Sequence, residues 1–512
     1  MTVNATAVWR VRPGGSNTNG GGFDCGISSA ATGTHGSLSG VTFTDATAAA
    51  FTSGMAGSAI NISGVGQFKI ATYVSATQIT LAVGAGGSLP QLSGGASWMV
   101  GAGQDYSQQN AAQASGSAGT ATGTTTFTDA VANAFTLAMV GNAIWIASGA
   151  GFTVGAYFVT AYTSASQITL DRSPGTGTAA VWTLGGSWAD PWTNMDTSGN
   201  FSTLAVPKPG NKILILGSGI PNPASYSFDY VATNYSQPTS GNVTDGYITY
   251  ANDPATPGYK PAPDTTGGMP CIKTSAINSA IWYTGNNFKF EGLWVVLAAA
   301  TGTGPMGADS SIAVVGCVFD QFGFDQNVAN SAYLFFIGSE VFSSVAPVGV
   351  GGSFAVSTSD GAVIGSNIHD TVGGGIALTG APPTVSGSII AKCSGTGIII
   401  SNNNQVVIIN NTIDGNLGNG IEWDNGGGEA QNGLSVSVVT NNIISNHTQA
   451  GKAGLKVDAG TVTQNDRVQA FVDYNVYYNN TTDVNAISYG PHDTHGGSNP
   501  YVGQPTENYT LA

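Results

Sequence analysis

From Gly292 onward, short apolar pairs recur behind a small or polar residue and ahead of a polar or turn residue. The segments are Gly292-Leu-Trp, Cys317-Val-Phe-Asp320, Glu340-Val-Phe-Ser343, Asn367-Ile-His-Asp370, Ser388-Ile-Ile, Asn411-Thr-Ile-Asp414, Asn442-Ile-Ile-Ser445 and Asn475-Val-Tyr. Their first residues lie 25, 23, 27, 21, 23, 31 and 33 positions apart. Between them sit further strand-length runs such as Gly375-Ile-Ala-Leu378, Gly397-Ile-Ile-Ile400, Gly420-Ile-Glu-Trp423 and Gly454-Leu-Lys-Val457. Several strand signals per repeat without helical periodicity predict a coil of short parallel strands, each turn stacked on the next at about 4.8 Å. Stacking aligns like residues, so Asn367, Asn411, Asn442 and Asn475 are expected to form a side-chain ladder that closes backbone groups at a turn. Which of the two adjacent apolar columns faces inward stays open, because both are apolar. The longer spacings near the C-terminus predict loops at 425–433 and 464–468.

The N-terminal part is duplicated. Thr42-Phe43-Thr44-Asp45, Phe51, Gly57, Ile60 and Ile62 recur as Thr126-Phe127-Thr128-Asp129, Phe135, Gly141, Ile144 and Ile146 at an offset of 84. Ser75 to Leu81 returns as Ser164 to Leu170, and the run ending at Trp98 is matched to Gly185-Gly-Ser-Trp188. Alternation in Ala59 to Ser63 and Gln78 to Leu81, with Gly-rich breaks, predicts two small β modules, residues 1–103 and 104–190. An Asp followed by an Ala-rich stretch predicts one short helix per module, around Asp45 to Phe51 and Asp129 to Leu137. Residues 191–205 are a junction, Pro209 to Leu216 the first strand of the coil, and 206–512 the coil itself. The fold class is all-β, a parallel β-helix preceded by two duplicated β modules.

Composition narrows the function. Glycine is 74 of 512 residues and charged residues are 8%, yet 41% hydrophobic residues are too many for a disordered chain. The polar surface must come mainly from Ser, Thr, Asn, Gln and Gly, which suits close packing beside other proteins. A net charge of −15 with four Arg, and only the loose pairs Lys208 with Lys212 and Lys452 with Lys456 after Asp171, argues against nucleic acid and anionic membranes as partners. No run of about 18 apolar residues and no signal-like opening is present, so neither a membrane span nor a signal peptide is expected. Cys25, Cys271, Cys317 and Cys393 match no metal or disulfide spacing, and Cys317 and Cys393 read as buried thiols.

Residues 206–512 resemble the right-handed parallel β-helix proteins of the pectin-lyase-like superfamily. The Asn-x-Ile repeats carry that likeness, with the ending Asp473-Tyr-Asn-Val-Tyr-Tyr478 followed by Asn499-Pro-Tyr501. The opening Trp9-Arg-Val-Arg-Pro-Gly-Gly-Ser16, Asn19 to Asp24 and the two modules look like segments of tailed-phage structural proteins. The resemblance implies a virion-surface protein made in the host cytoplasm, with a major capsid or other virion protein as partner and a homo-oligomer, a trimer, as its assembly. Lyases, hydrolases, tailspikes, adhesins and inert rods share this scaffold, so residues must decide among them.

The polygalacturonase motifs Asn-Thr-Asp, Asp-Asp, Gly-His-Gly and Arg-Ile-Lys are absent from the sequence, and Arg467, alone after Arg172, reads as a solvated charge. Glu422, Asp424 and Asp458 are the catalytic candidates for hydrolysing a neutral glycan, with Trp423 as a stacking surface if its ring points outward. Against this, acids at i and i+2 of a strand are ordinarily a polar outer wall. Asp320, Asp370 and Asp414 are placed as one column that could hold a Ca²⁺, with turn capping as the plainer reading. His492-Asp-Thr-His495 lacks a third metal ligand nearby. The expected function is therefore a non-enzymatic virion structural protein, a capsid decoration, head fibre or tail appendage. The alternatives are a tailspike-like glycan depolymerase and a non-cleaving receptor-binding protein or adhesin that recognises a cell-surface glycan.

Overall fold

Strands dominate the computed structural model, with a 3-10 turn at Ser53–Met55. The structure describes residues 8–16, 18–21, 29–56, 59–63, 65–82, 89, 91–101, 106, 109–136, 139–189, 210–219, 228–230, 247–274, 282–284, 287–297, 306–321, 329–344, 354–380, 382–401, 405–424, 436–457, 469–496 and 498–501. The predicted junction at 191–205 and the predicted loops at 425–433 and 464–468 lie outside them. The chain divides into two compact units, one of Met1–Phe228, Gln237–Pro261 and Thr266–Cys271, the other of Asp229–Ser236, Ala262–Thr265 and Ile272–Ala512.

In the first unit each duplicated module is a closed six-stranded antiparallel barrel. Around the first run Ser29–Ser39, Thr42–Thr44, Gln78–Leu81, Gly66–Ser75, Ala59–Ile62 and Leu92–Gly101. Around the second run Ala143–Phe152, Gly155–Ser164, Gln167–Leu170, Thr126–Thr128, Ala114–Thr122 and Gly175–Leu184. Closure leaves no free sheet edge. Alternation fills the interior: Ile79 and Leu81 of one barrel, and Ile168 and Leu170 of the other, are buried on the inner face.

Among the described residues neither predicted short helix forms; residues 46–48 and 130–132 are turns. Asp45 Oδ1 does cap the N–H groups of Thr47 and Ala48, and Asp129 Oδ1 those of Val131 and Ala132. Ala49 and Asn133 then turn to φ of 43° and 45°, which ends any helix after one turn. The turn swings Phe51 and Phe135 into the cores, where they stack on Trp98 and Trp182 at 4.7 and 4.9 Å. The other carboxylate oxygen accepts the indole N–H, Trp98 to Asp45 at 2.7 Å and Trp182 to Asp129 at 2.9 Å. Trp182, and not Trp188, is therefore the counterpart of Trp98, and the offset returns to 84. The match to Gly185-Gly-Ser-Trp188 followed local likeness, whereas the second barrel inserts five residues between Ile146 and Ser164 and drops five before Trp182.

Trp188 has a different task. It stacks on Trp9 at 5.5 Å, next to the strand Val8–Val11. That strand is fully buried and pairs in parallel with Lys212–Ile215, which pairs in turn with Ile248–Asn252. The opening segment thus covers the edge of the first turn of coil, which would otherwise present unpaired backbone groups. Arg10 is carried inside with it and donates to Asp253 at 2.7 Å, both side chains being essentially without exposure.

The second unit is a parallel β-helix. One sheet stacks Trp294–Leu297, Val318–Asp320, Glu340–Phe342, Asn367–His369, Ile389–Ala391, Thr412–Asp414, Ile443–Ser445 and Val476–Tyr478. The middle residue of the last seven of these, from Phe319 and Val341 to Ile444 and Tyr477, points inward and has no exposure, which settles the open question of the inner column. The other wall stacks Phe288–Glu291, Met306–Val315, Ala329–Ile337 and Phe354–Ile364. From there each coil uses two shorter strands, beginning with Gly374–Leu378 and Thr384–Ser386. Cys317 and Cys393 are buried free thiols, and burial pushes both up to about 12, so they stay protonated; Cys25 lies outside the described residues.

Just ahead of the strands of the first sheet, one left-handed residue turns the chain at each of eight successive corners: Gly292, Gly316, Gly338, Gly365, Gly387, Asn410, Asn441 and Tyr474, at φ from 53° to 63°. The next residue forms the ladder. Asn442 Oδ1 accepts the backbone and side-chain N–H of Asn411, and Asn475 Oδ1 does the same for Asn442, each bond 3.0 Å. Toward the N-terminus the ladder continues through Ser388, Ser366 and Ser339 to Cys317. Asn367 is not a rung. It stands one residue past Ser366, opposite Ile389 and Thr412, because the Asn-Ile pair of that coil is shifted by one in register.

Candidate functional site

The strand Ile421–Asp424 carries three of the four sequence-predicted site residues. Its alternation sends Ile421 and Trp423 inward and Glu422 and Asp424 outward. Trp423 has no exposure, stacked in register beneath Ile400. The ring is part of the core, so it offers no surface for a sugar. This corrects the stacking role expected of it.

Glu422 stands on the outer wall directly opposite Lys456 of the next coil. Lys456 Nζ donates to Oε1 at 2.9 Å and Thr396 Oγ1 to Oε2 at 3.0 Å. Burial pushes the carboxyl up, but Lys456 and the other donors outweigh it and hold it below the usual range. A carboxylate tied in this way is an anion at neutral pH and has no proton to give a leaving group. Asp424 is half-buried on the same face. Asp458 lies outside the described residues.

The proposed Asp column does not assemble. Asp320 and Asp414 do share a column, but Phe342, His369 and Ala391 stand between them. Asp370 lies one residue past His369, in a turn at φ 48°. Asp320 accepts from the backbone and hydroxyl of Ser344, and Asp414 from Ser445 and Asn446. Each is a turn cap, and among the described residues no group of three or more His, Cys, Asp or Glu gathers as a metal site would require.

Two histidines matter more than their spacing suggested. His369 is bracketed by Asp370 at 2.8 Å and Glu340 at 3.1 Å and lies flat on Phe342. Burial lowers its basicity, but the two carboxylates outweigh it and raise it overall. His447 is enclosed in a second inner ladder: Nδ1 faces Asn480 Oδ1 at 2.9 Å and Nε2 faces Asn416 Nδ2 at 3.3 Å. The amide of Asn416 also donates to Ile390, so Nε2 must accept, and the ring fits only as neutral imidazole. Burial depresses it to about 4.

The sign of the effect follows. An unfolded chain takes up this proton near pH 6.5 while the folded one resists until about 4, so stability falls as pH drops through that window. The loss should reach on the order of 3 kcal/mol. Urea unfolding at pH 7 and pH 4.5 should show it, and His447→Gln should flatten the difference.

Residues 305–504 match the family model described as right handed beta helix region. The coil is a right-handed parallel β-helix. No protein of curated function matches the chain. Among solved structures, it is similar to the catalytic domain of a GH87 alpha-1,3-glucanase in complex with tetrasaccharides, at 12% identity and a TM-score of 0.30, covering 76% of this chain and 87% of that one. The same catalytic domain in complex with nigerose gives 11% identity, a TM-score of 0.30 and the same coverage. At such values the likeness carries no argument about the chemistry of this β-helix.

Proposed function

We propose that the protein is a non-enzymatic structural component of a tailed-phage virion surface, a capsid decoration, head fibre or tail appendage. In this reading the N-terminal barrels attach to a capsid or other virion protein and the β-helix is the displayed element. The observation that carries it is the state of Glu422: the best-placed acid of the outer wall is bound to Lys456 and Thr396, and the aromatic beside it points inward. An outer wall whose charges are spent on its own coils serves as scaffold. The test is imaging of intact particles labelled with an antibody against residues 206–512. Label over the head or along the tail is expected, and particles without label would end the virion reading. Release of reducing ends or unsaturated sugars from host capsule would end the non-enzymatic one.

One observation favours receptor binding without cleavage as a second reading. Tyr474 holds the left-handed turn position that seven preceding coils give to Gly or Asn. A side chain of that kind there costs about 1–2 kcal/mol, and strain of this sort is kept mostly where a function needs it. Its ring is half exposed and stacks on His492 at 4.5 Å, while Asp473 fixes His492 at 2.8 Å. Phe471 on the same coil is also exposed. The stacked Tyr474 and His492 rings form a shelf suited to the apolar face of a sugar. Tyr474→Asn should leave stability unchanged or raise it by about 1 kcal/mol, while lowering adsorption to host-surface glycan at least tenfold; unaltered adsorption removes this reading.

A further inference from the structure

On the outer face of the first sheet, Glu340, Phe342 and Asp370 converge on one imidazole. Asn367–His369 follows Glu340–Phe342 in the stack, and the His369 ring lies over Phe342 at 5.6 Å and 7°. Nε2 faces Glu340 Oε1 at 3.1 Å and Nδ1 faces Asp370 Oδ2 at 2.8 Å. Asp370 sits in a left-handed turn at φ 48°, a conformation that Asp and Asn adopt more readily than other residues with a side chain. A carboxylate only accepts, and a neutral imidazole has one N–H, so both contacts are hydrogen bonds only when the ring carries two protons. With one proton, one nitrogen turns a lone pair toward a carboxylate. Burial works against the second proton, but Glu340 and Asp370 outweigh it, so the ring keeps that proton above its ordinary 6.5. The other carboxylates of this column are held elsewhere: Asp320, beyond Phe342, by Ser344, and Asp414, beyond Ala391, by Ser445 and Asn446. Lys392 follows Ala391 and so stands one rung from Asp370.

The chain that leaves His369 forms a buried corner. Val372 N–H donates to Gln321 Oε1, two coils back, at 3.1 Å, and the carbonyls of Thr371 and Gly373 accept from Ser394 and Gly395 of the next coil. Cys393, without exposure, lies beneath this corner, so close that a Cβ on Gly375 would meet its Sγ at 3.3 Å. We propose that Glu340, His369 and Asp370 form a proton-held latch on the corner Thr371–Gly375, closed while the ring donates to both carboxylates and loosened when it gives one proton up. Losing one contact lets the corner open locally more often, and each opening uncovers Cys393. The raised basicity sets the sign: the latch is closed below pH 6.5 and weakens as pH rises through the higher value of the folded protein. His447 acts the other way, being neutral above 6.5 and destabilising the coil only on acidification. The two histidines thus loosen the coil on opposite sides of the ordinary imidazole range. The latch belongs to the coil itself and does not depend on the virion reading.

The test is thiol labelling of the native full chain between about pH 6 and about pH 9, resolved by peptide mass spectrometry. Cys317 is the reference: it is equally buried, is likewise pushed up to about 12 and lies away from this corner. The ratio of the two rates therefore removes the pH dependence of the thiolate itself. The Cys393 to Cys317 ratio should rise about tenfold across the range, the weight of one hydrogen bond to a charged group. Asp370→Asn should keep the ratio low and flat, because the amide suits the same left-handed turn and donates to the Nδ1 lone pair of the neutral ring. A flat wild-type ratio, or an Asp370→Asn ratio that rises as the wild type's does, overturns the proposal. Nuclear magnetic resonance of the wild type supplies a check that no variant's stability affects. The His369 Hε1 signal, assigned by its loss in His369→Gln, should titrate above 6.5, and titration at or below that value overturns the latch as well.

Discussion

Asn442→Ala should cost the β-helix about 3–5 kcal/mol, the largest loss expected from any single substitution in the ladder. The side chain is a junction and not one bond. Its Oδ1 accepts two donors from Asn411, and its Nδ2 donates to the carbonyl oxygens of Ile408 and Thr440 and to Asn475. Alanine leaves the backbone N–H of Asn411 and the carbonyl of Ile408 without these partners, in a column with almost no exposure. Each orphaned buried group costs about 1–3 kcal/mol. Asn367→Ala, at a half-buried position outside the ladder, should cost under about 1 kcal/mol. Denaturant unfolding of the two variants side by side checks the register directly: equal losses would mean that the ladder is not the support described here.

The second large effect is expected at the other end of the chain. Arg10→Met should destabilise the N-terminal unit by about 3–5 kcal/mol, because Asp253 would keep a buried charge after losing its nearest counter-ion. Asp253 also caps Ala255, and Arg12 stands 3.9 Å away, too far to replace the 2.7 Å bond of Arg10. Burial pushes the Asp253 carboxyl up, and the two arginines reverse that and hold it below its usual range. A depressed carboxylate contributes its stability above the unfolded value of 3.8 and loses it as pH falls through the lower folded value. The double change Arg10→Met with Asp253→Leu should recover a large part of the loss, since neither charge then remains to be solvated. Thermal unfolding of the single and double variants separates the two outcomes, and a double variant no more stable than the single one would count against a charge-burial origin.

The repeat of apolar pairs by itself determined the parallel coil. A chain whose strands alternate every two residues and return every 21 to 33 positions has few ways to bury its inner faces other than stacking them. The same repeat located three of the four ladder asparagines, and the duplication located both barrels, because in each case like residues do like work at fixed spacing. Tertiary structure alone decided the rest. Register by one residue separates Ser366 from Asn367 and breaks up the Asp320, Asp370 and Asp414 column, and adjacent apolar or polar residues do not announce which of them faces inward. The rotation of the strand also decided Trp423, which its flanking acids made look exposed. The pairing of Val8–Val11 with a strand some 200 residues later, and the burial of Arg10 against Asp253, leave no local trace in the sequence, since the partners meet only once the coil exists. Local pattern sets what a segment becomes; which segments it meets is settled by the closure of the whole chain.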